Sequence, residues 1–278
     1  MMRNSFRWLV LAGLVAGPAT AADLYQPEPV PQYAPEVRVA DVSGFYLRGD
    51  IGYSFNKLRG ANYFQGSNAS LVDFDRHDLK NSYSLGAGVG YQINSRLRTD
   101  LTFDYLGKSD FHGSTQGTCG VGNGTLACTS ADLTSMQAYT LMANAYVDLG
   151  TYASVTPYVG AGIGGSYVKW NDLKNTSCAD NGAGCDATET HDGRGSWRFA
   201  YQLMAGASID ITCDWKADVG YRFRQTSSGD MFGYKANGGP GRDKGFYSHD
   251  LHVGARYQFG GCPQPVAYEP PPQPLVYK

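Results

Sequence analysis

Three adjacent residues near the C-terminal end of the chain have the side chains of a hydrolytic site. Ser248, His249 and Asp250 are of the types that serve as nucleophile, general base and orienting carboxylate in a catalytic triad. They lie in a segment where polar and apolar residues alternate, and neighbouring side chains of a β-strand point to opposite faces. Ser248 and His249 therefore cannot share a proton, and we expect the protein not to be an enzyme.

Four of the six cysteines form two closely spaced pairs. Cys119 and Cys128 share one long polar segment, and Cys178 and Cys185 share another. In an exported protein such pairs predict disulfides. Zinc is the alternative for this spacing, but the nearby histidines do not complete a convincing tetrahedral set of ligands. We therefore expect two disulfides, no metal and no cofactor.

Charged residues recur at alternate positions, so they share one face of each predicted strand. Basic and acidic members nearly cancel, and charges taken out of water are stable only when they are paired and hydrogen-bonded. We predict a structural network of salt bridges inside a closed barrel, and a narrow ion pathway is the alternative. The predicted network comprises Arg48, Asp50, Arg98, Asp100, Asp104, Asp148, Arg198, Asp218, Arg222, Asp250 and Arg256.

The elements that position these residues are segments in which apolar and polar residues alternate with a period of two. Most have the length of about 9–11 residues that a tilted strand needs to cross a bilayer. Short connectors alternate with four long polar ones at 58–81, 109–132, 171–195 and 225–247, which is typical of outer-membrane barrels. The alternating segments are 45–55, 82–93, 96–105, 139–149, 158–164, 197–210, 214–224 and 250–259.

This pattern predicts an all-β fold, an eight-stranded antiparallel transmembrane β-barrel with four long extracellular loops and short periplasmic turns. It also suggests a third disulfide. Cys213 precedes the seventh segment and Cys262 follows the eighth, so an antiparallel hairpin brings them to the same end. Paired strands lie about 4.8 Å apart, and a disulfide joins Cα atoms about 4.4–6.8 Å apart. Two free thiols are the alternative, because the sequence does not fix the register of the hairpin.

The regions that flank the predicted barrel, at 43–260, have a different composition. Residues 1–21 combine an early positive charge, a short apolar stretch and a small-x-small pattern, which predicts a cleaved signal peptide. Residues 22–42 and 261–278 are rich in proline, which lacks the N–H that a sheet requires. We expect both to be extended periplasmic segments.

Four short motifs follow one another along the body of the chain: GFYLRGDIGY from Gly44, NAYVD from Asn144, PYVGAGIG from Pro157 and VGARYQF from Val253. Taken together in this order, they resemble the small OmpA-type outer-membrane barrels of the porin family, and especially the abundant surface antigens of alphaproteobacteria. Members of this family usually end at a final aromatic residue that the assembly machinery reads, whereas this chain continues for 19 residues (278 − 259) beyond Phe259. The resemblance implies a place in the outer membrane of a Gram-negative cell.

The resemblance also implies a structural role in the cell envelope and at its surface. The alternatives are a narrow porin-like channel for small solutes, and a receptor or adhesin that acts through disulfide-stiffened loops. The expected partners are outer-membrane lipid and lipopolysaccharide, the barrel assembly machinery, and cell-wall or host surface components. Nucleic acid is not expected, because a formal charge of −2 gives no electrostatic attraction for it.

Overall fold

The computed structural model describes residues 43–66, 70–121, 124–235 and 238–262. The predicted signal peptide at 1–21, the whole proline-rich segment at 22–42 and residues 263–278 of the second proline-rich segment lie outside these residues. The described residues include no helix with the length and apolar character that a membrane-spanning helix needs.

Strands dominate the described part of the chain. They are β1 (Gly44–Leu58), β2 (Ala61–Gln65), β3 (Ser70–Asp73), β4 (Arg76–Leu79), β5 (Ser82–Gln92), β6 (Leu97–Ser114), β7 (Gln116–Val121), β8 (Gly124–Asp148), β9 (Val155–Trp170), β10 (Leu173–Ala179), β11 (Glu189–His191), β12 (Gly195–Asp210), β13 (Trp215–Thr226), β14 (Gly229–Phe232), β15 (Gly238–Asp243) and β16 (Phe246–Gln258).

Eight of these strands form a closed antiparallel ring, in the order β1, β5, β6, β8, β9, β12, β13, β16 and back to β1. Ile51 of β1, for example, pairs with Leu85 of β5 on one side and with Val253 of β16 on the other. Every ring strand therefore has two hydrogen-bonded neighbours, and the barrel has no free edge. The predicted all-β fold, an antiparallel β-barrel, is confirmed.

The two faces of the ring differ as the alternation predicts. Apolar side chains such as Leu101 and Val253 point outward and are about half exposed in the isolated chain, whereas their polar neighbours Asp100 and His252 are buried inside. An apolar outer surface is what a lipid environment requires. The inward positions consequently decide what the lumen can do.

The long polar connectors are not the irregular loops that their composition suggests. β6 continues to Ser114 and β8 begins at Gly124, so this hairpin extends well past the ring, and β4, β7, β10 and β11 add to it. Extended pairing satisfies backbone N–H and C=O groups that a loop would leave to water. The sequence gives no period-two signal here because neither face of these extensions meets lipid.

The first and fourth long connections also meet each other. β2 and β3 pair with β14 and β15 in a separate four-stranded sheet, in the order β14, β15, β2, β3. We call this the outer sheet. The end of the barrel that carries it is the long-loop end, and the opposite end is the short-turn end.

A second apolar region fills the barrel at the long-loop end, and we call it the apolar plug. Its aromatic rings pack edge to face, with ring centroids 5.7 Å apart for Phe111 and Trp170 and 5.8 Å apart for Phe74 and Phe111. The period-two pattern of the sequence does not predict the apolar plug, because the plug residues lie at the ends of ring strands and in short strands. The plug consists of Leu58, Ala61, Phe74, Leu79, Leu106, Phe111, Met136, Ala138, Val168, Trp170, Leu173, Met231, Phe232 and Phe246.

Candidate functional site

The centre of the lumen is organised around Arg222. Its guanidinium nitrogens lie 2.9 Å from Asp104 Oδ1, 3.1 Å from Asp250 Oδ1 and 3.6 Å from Asp50 Oδ1. The carboxylates come from β6, β16 and β1, and alternation turns all three inward. One arginine on β13 thus joins three other strands of the ring.

Arg48 extends this network toward the short-turn end. It contacts Asp50 at 3.1 Å and Asp100 at 3.2 Å, and it donates a hydrogen bond of 2.9 Å to the Tyr146 hydroxyl. The Tyr46 hydroxyl donates to Asp100 at 3.1 Å. Aromatic side chains therefore line the lumen as hydrogen-bond partners, a role that the charge pattern alone does not reveal.

Neutral amides complete the network on the far wall. Arg224 contacts Asp104 at 2.6 Å and donates to Gln202 Oε1 at 3.0 Å. The Gln202 amide donates to Asn144 Oδ1, and the Asn144 amide donates to Asp100, both at 2.7 Å. The chain of contacts crosses the barrel from wall to wall, because Asp100 is also bound by Arg48.

A second charged layer lies nearer the short-turn end. Arg98 Nε lies 3.0 Å from Asp148 Oδ1, and its guanidinium sits against the rings of Tyr146 and Tyr158, at 4.2 and 4.5 Å from their centroids. Such cation–π contacts stabilise a cation that is removed from water. Arg98 is 1% exposed, so its compensation comes almost wholly from these side chains.

Arg256 occupies the same layer across the lumen. It lies 3.7 Å from Asp218 Oδ2, donates to Ser208 Oγ at 2.8 Å and faces the Tyr46 ring at 5.2 Å. Ten of the eleven residues predicted for the lumen network are thus found in these two layers.

The inward-facing glycines create the space that these side chains occupy. A Cβ atom on Gly86 would lie 2.7 Å from carboxylate oxygens of Asp50 and Asp104, and one on Gly90 would lie 2.2 Å from Tyr46 Cζ. Real Cβ atoms do not approach so closely. The lumen is therefore filled by large charged and aromatic groups set against bare backbone.

The structure places the eleventh predicted residue, Arg198, in a different environment. Arg198 Nη1 lies 2.7 Å from Asp243 Oδ1 within the apolar plug, and Trp170 Nε1 donates to Asp243 Oδ2 at 3.0 Å. Burial raises the pKa of Asp243 even with the guanidinium beside it. The alternation of polar and apolar residues correctly predicted that Arg198 points into the barrel. It does not predict at which height along the barrel axis the side chain lies.

All six cysteines are paired. Cys119 is bonded to Cys128 across the β7–β8 hairpin, and Cys178 to Cys185 at the end of β10, with Cα atoms 5.8 and 3.9 Å apart. Both disulfides stiffen the long-loop end. At the short-turn end, a third disulfide joins Cys213 to Cys262, with Cα atoms 4.9 Å apart.

The three residues of hydrolytic type do not form a site. Ser248 Oγ donates inward to Asn56 Oδ1 at 2.9 Å, whereas His249 is on the outer face, where its Nδ1 lies 2.7 Å from the Tyr221 hydroxyl. Asp250 is held by Arg222. Each side chain has a partner of its own, and none of these contacts joins Ser248 to His249.

Comparison with known proteins gives the family. A model of the outer membrane protein beta-barrel domain matches residues 9–259. An uncharacterized protein of Brucella abortus is 36% identical over 289 aligned positions, which cover 93% of this chain and all of that protein. A Rickettsia conorii protein, whose name proposes that it is an adhesin, is 27% identical over 77% of this chain and 81% of its own length.

Among solved structures, Neisserial surface protein A aligns with 78% of this chain and 99% of its own, at 18% identity and a TM-score of 0.38. The family matched by residues 9–259 is one of the Gram-negative outer membrane, and its members are generally not enzymes. With a match over most of its length and a closed ring of eight strands, the chain belongs to the outer membrane protein beta-barrel domain family.

Proposed function

We propose that this integral outer-membrane β-barrel has a structural and surface role. In this role its lumen does not conduct, the protein has no catalytic activity, and its long-loop end faces the cell exterior as a rigid platform. In this proposal the ring anchors the protein in lipid, and other molecules bind to the strands and turns at the long-loop end.

The proposal rests on the observation that two groups of side chains fill the barrel. The charge network occupies the centre of the lumen, and the apolar plug closes the long-loop end above it. In the plug, Trp170 and Phe111 are 1% and 0% exposed. An ion on a path through the barrel would have to separate buried ion pairs and then cross an apolar layer.

Both steps are costly. Removing one partner of a buried pair costs about 3–5 kcal/mol, because the other charge is left uncompensated. Placing an unpaired ion among aromatic and aliphatic groups costs more still. The filled lumen therefore supports an anchoring role over the alternative of a channel for small solutes.

The proposed absence of catalysis rests on the separation of Ser248 and His249 by the wall of the barrel. A nucleophile and its base need contact through a hydrogen bond or a single water. The purified wild-type protein should consequently hydrolyse lipid or peptide only at the background rate. The Ser248→Ala and His249→Ala variants should give the same background rate.

The proposed partners follow from the surfaces. The apolar outer face of the ring suits outer-membrane lipid and lipopolysaccharide, and the assembly machinery must insert the barrel. At the long-loop end, two disulfides and the outer sheet hold the surface rigid, which lowers the entropy lost on binding. The adhesin name of the Rickettsia conorii relative agrees with contacts to cell-wall or host surface components.

Conductance measurements test the closed lumen. Refolded protein in a planar bilayer should give no unitary current steps, while a general porin added to the same bilayer should give them. Reproducible steps from the wild-type protein would overturn the proposal.

Epitope insertion tests the orientation. Gly182 lies in an exposed turn after β10, and Gly150 lies in the turn between β8 and β9 at the short-turn end. An epitope inserted after Gly182 should bind antibody on intact cells, and one inserted after Gly150 should bind only after permeabilisation. The reverse result would invert the proposed topology.

A further inference from the structure

The long-loop end encloses a cavity of about 520 Å³ that the closed barrel does not explain, and we call it the loop cavity. All four long connections contribute to it, through Tyr63, Asp132, Asn175 and Phe232 among others. Phe74, Leu173 and Phe232 belong to both the apolar plug and the cavity wall. The cavity is therefore separated from the charged lumen by the plug.

One wall of the loop cavity is an ordered chain of hydrogen bonds. The Tyr63 hydroxyl lies 2.9 Å from Thr115 Oγ1, which lies 3.0 Å from Ser130 Oγ, and Ser130 Oγ donates to Asp132 Oδ2 at 2.5 Å. Asn175 donates to the other carboxylate oxygen at 2.6 Å. These contacts join the first, second and third long connections around one carboxylate.

The Asp132 carboxylate determines which hydroxyl donates in each hydrogen bond of this series. Ionised Asp132 only accepts, so the single hydroxyl proton of Ser130 is directed to it. Ser130 must then accept from Thr115, and Thr115 must accept from Tyr63. Every hydroxyl proton in this series of hydrogen bonds is committed, so the hydroxyl oxygens of Tyr63, Thr115 and Ser130 can offer a ligand only acceptor lone pairs.

The charge on the lining is negative. Asp132 and Asp186 are its acidic groups, His191 is its basic ring, and no Lys or Arg is among the described residues that line it. Asp132 is 2% exposed, and its two carboxylate oxygens accept from the neutral side chains of Ser130 and Asn175. Burial raises the pKa of Asp132, with the Asn175 and Ser130 hydrogen bonds and His191 opposing the change.

Aromatic rings face the same space. The Tyr63 ring centroid lies 5.2 Å from that of Phe74 and 6.1 Å from that of Phe232, so the three rings form a continuous patch. The faces of such rings attract a cation. A carboxylate without a cationic partner, a wall of acceptors and an aromatic patch together match one kind of ligand.

We propose that the loop cavity binds a small organic cation with a primary ammonium group, which would donate to Asp132 and the neighbouring oxygens while its carbon body packs on the Tyr63–Phe74–Phe232 patch. The proposal rests on the proposed surface role, since the cavity opens at the end assigned to the exterior. It names a ligand class for that surface, and Asp132 is the residue that selects it.

Calorimetric titration of refolded protein in detergent tests the assignment with n-butylammonium and its neutral match, 1-butanol, and with methyl glucoside as a sugar probe. At pH 7, n-butylammonium should bind at least tenfold more tightly than either neutral probe. Asp132→Asn should remove this preference, and the matched control Asp110→Asn should retain it, because Asp110 is exposed beside Lys108 on the protein surface.

A neutral probe that binds as tightly as n-butylammonium would overturn the proposal, as would a preference that survives Asp132→Asn. Where circular dichroism shows that Asp132→Asn does not fold, Asp186→Asn decides: a loss of several-fold in ammonium affinity supports the cation site, and unchanged affinity overturns it. The bilayer and epitope experiments use no ligand, so failure of the closed surface barrel is distinguishable from failure of this site.

Discussion

Arg222 and Asp104 are 118 residues apart in the chain, and their side chains meet inside the barrel with Nη1 2.9 Å from Oδ1. Their strands, β13 and β6, are not neighbours in the ring. The contact therefore spans the lumen instead of following a hairpin. It connects parts of the wall that no backbone hydrogen bond joins.

Arg222→Met should strongly destabilise the barrel. The change leaves Asp50, Asp104 and Asp250 without their shared guanidinium, and breaking such a buried network costs about 3–5 kcal/mol. Urea titration of the refolded protein in lipid vesicles measures the free energy of unfolding. The control is Arg76→Met, because the Arg76–Asp78 pair is exposed and should contribute no more than about 1 kcal/mol. Equal effects of the two changes would contradict the internal network.

Gly90→Ala should destabilise the protein by about 1–3 kcal/mol, the range for overpacking a filled interior. The added methyl group would meet the Tyr46 ring and the Thr99 carbonyl. Gly49 lies on the outer face, and a Cβ there would come no closer than 3.9 Å to Gly86 O, so Gly49→Ala should be tolerated. The same urea titration compares them, and a harmless Gly90→Ala would mean that Tyr46 does not fill the lumen here.

Leu101→Arg should cost about 2–4 kcal/mol, because the side chain points into the apolar middle of the lipid-facing band. Ile93 is also exposed but lies in the turn between β5 and β6, near the interface. Ile93→Arg should cost about 0–1 kcal/mol. Refolding yield and urea midpoint report both changes, and the reverse order would show that the band is misplaced.

The Cys213–Cys262 disulfide should be present in protein isolated without reductant. Denatured, unreduced protein should take up no maleimide at either position, and reduced protein should take it up at both. In the chain-entropy picture a loop of this size, with a sequence separation of 49, contributes about 4 kcal/mol. The Cys213→Ser, Cys262→Ser double variant should therefore unfold at lower urea, and labelling before reduction would exclude the bond.

Asp132 should give the protein a distinct pH dependence. Burial raises its pKa above the ordinary value of 3.8, so the folded state holds this proton at a pH where the unfolded state has lost it. The free energy of unfolding must then fall as pH rises through the window above 3.8. Relative to Asp132→Asn, which cannot titrate, the wild-type protein should lose stability as pH rises above about 4.

Asp78 provides the comparison of opposite sign. The hydrogen bond from Arg76 lowers its pKa, so its contribution to stability is present at neutral pH and is lost as pH falls through the lowered value. Urea midpoints of the wild-type, Asp132→Asn and Asp78→Asn proteins across the pH range give both slopes. A wild-type slope that matches that of Asp132→Asn would show that this carboxyl titrates normally.

Much of the ring could be predicted from sequence because lipid and lumen impose opposite requirements on alternate residues. That requirement is local, so Leu101 and Asp100 reveal their faces without knowledge of the partner strands. It also predicted the place of Cys213 and Cys262, since a hairpin fixes which strand ends meet. The assignment of Arg48, Asp100 and their neighbours to the interior has the same basis.

The sequence could not predict contacts that depend on the cross-section of the barrel. Nothing near Arg222 indicates that Asp104 lies opposite, and nothing near Arg198 indicates that it stands at the height of the plug beside Asp243. The loop cavity could not be predicted from the sequence for the same reason. Tyr63, Asp132 and Asn175 come from three connections whose polar composition predicts loops. They meet only because strands extend beyond the membrane, where contact with lipid no longer imposes an alternation of polar and apolar residues.

The outer sheet takes two strands from the connection that follows β1 and two from the connection that precedes β16. β1 and β16 are the first and last strands of the ring, and the ring closes where they pair. The pairing of β2 with β15 therefore adds a second set of backbone hydrogen bonds between the two ends of the barrel sequence. The barrel cannot open between β1 and β16 and separate these two ends unless the β2–β15 pairing is broken as well.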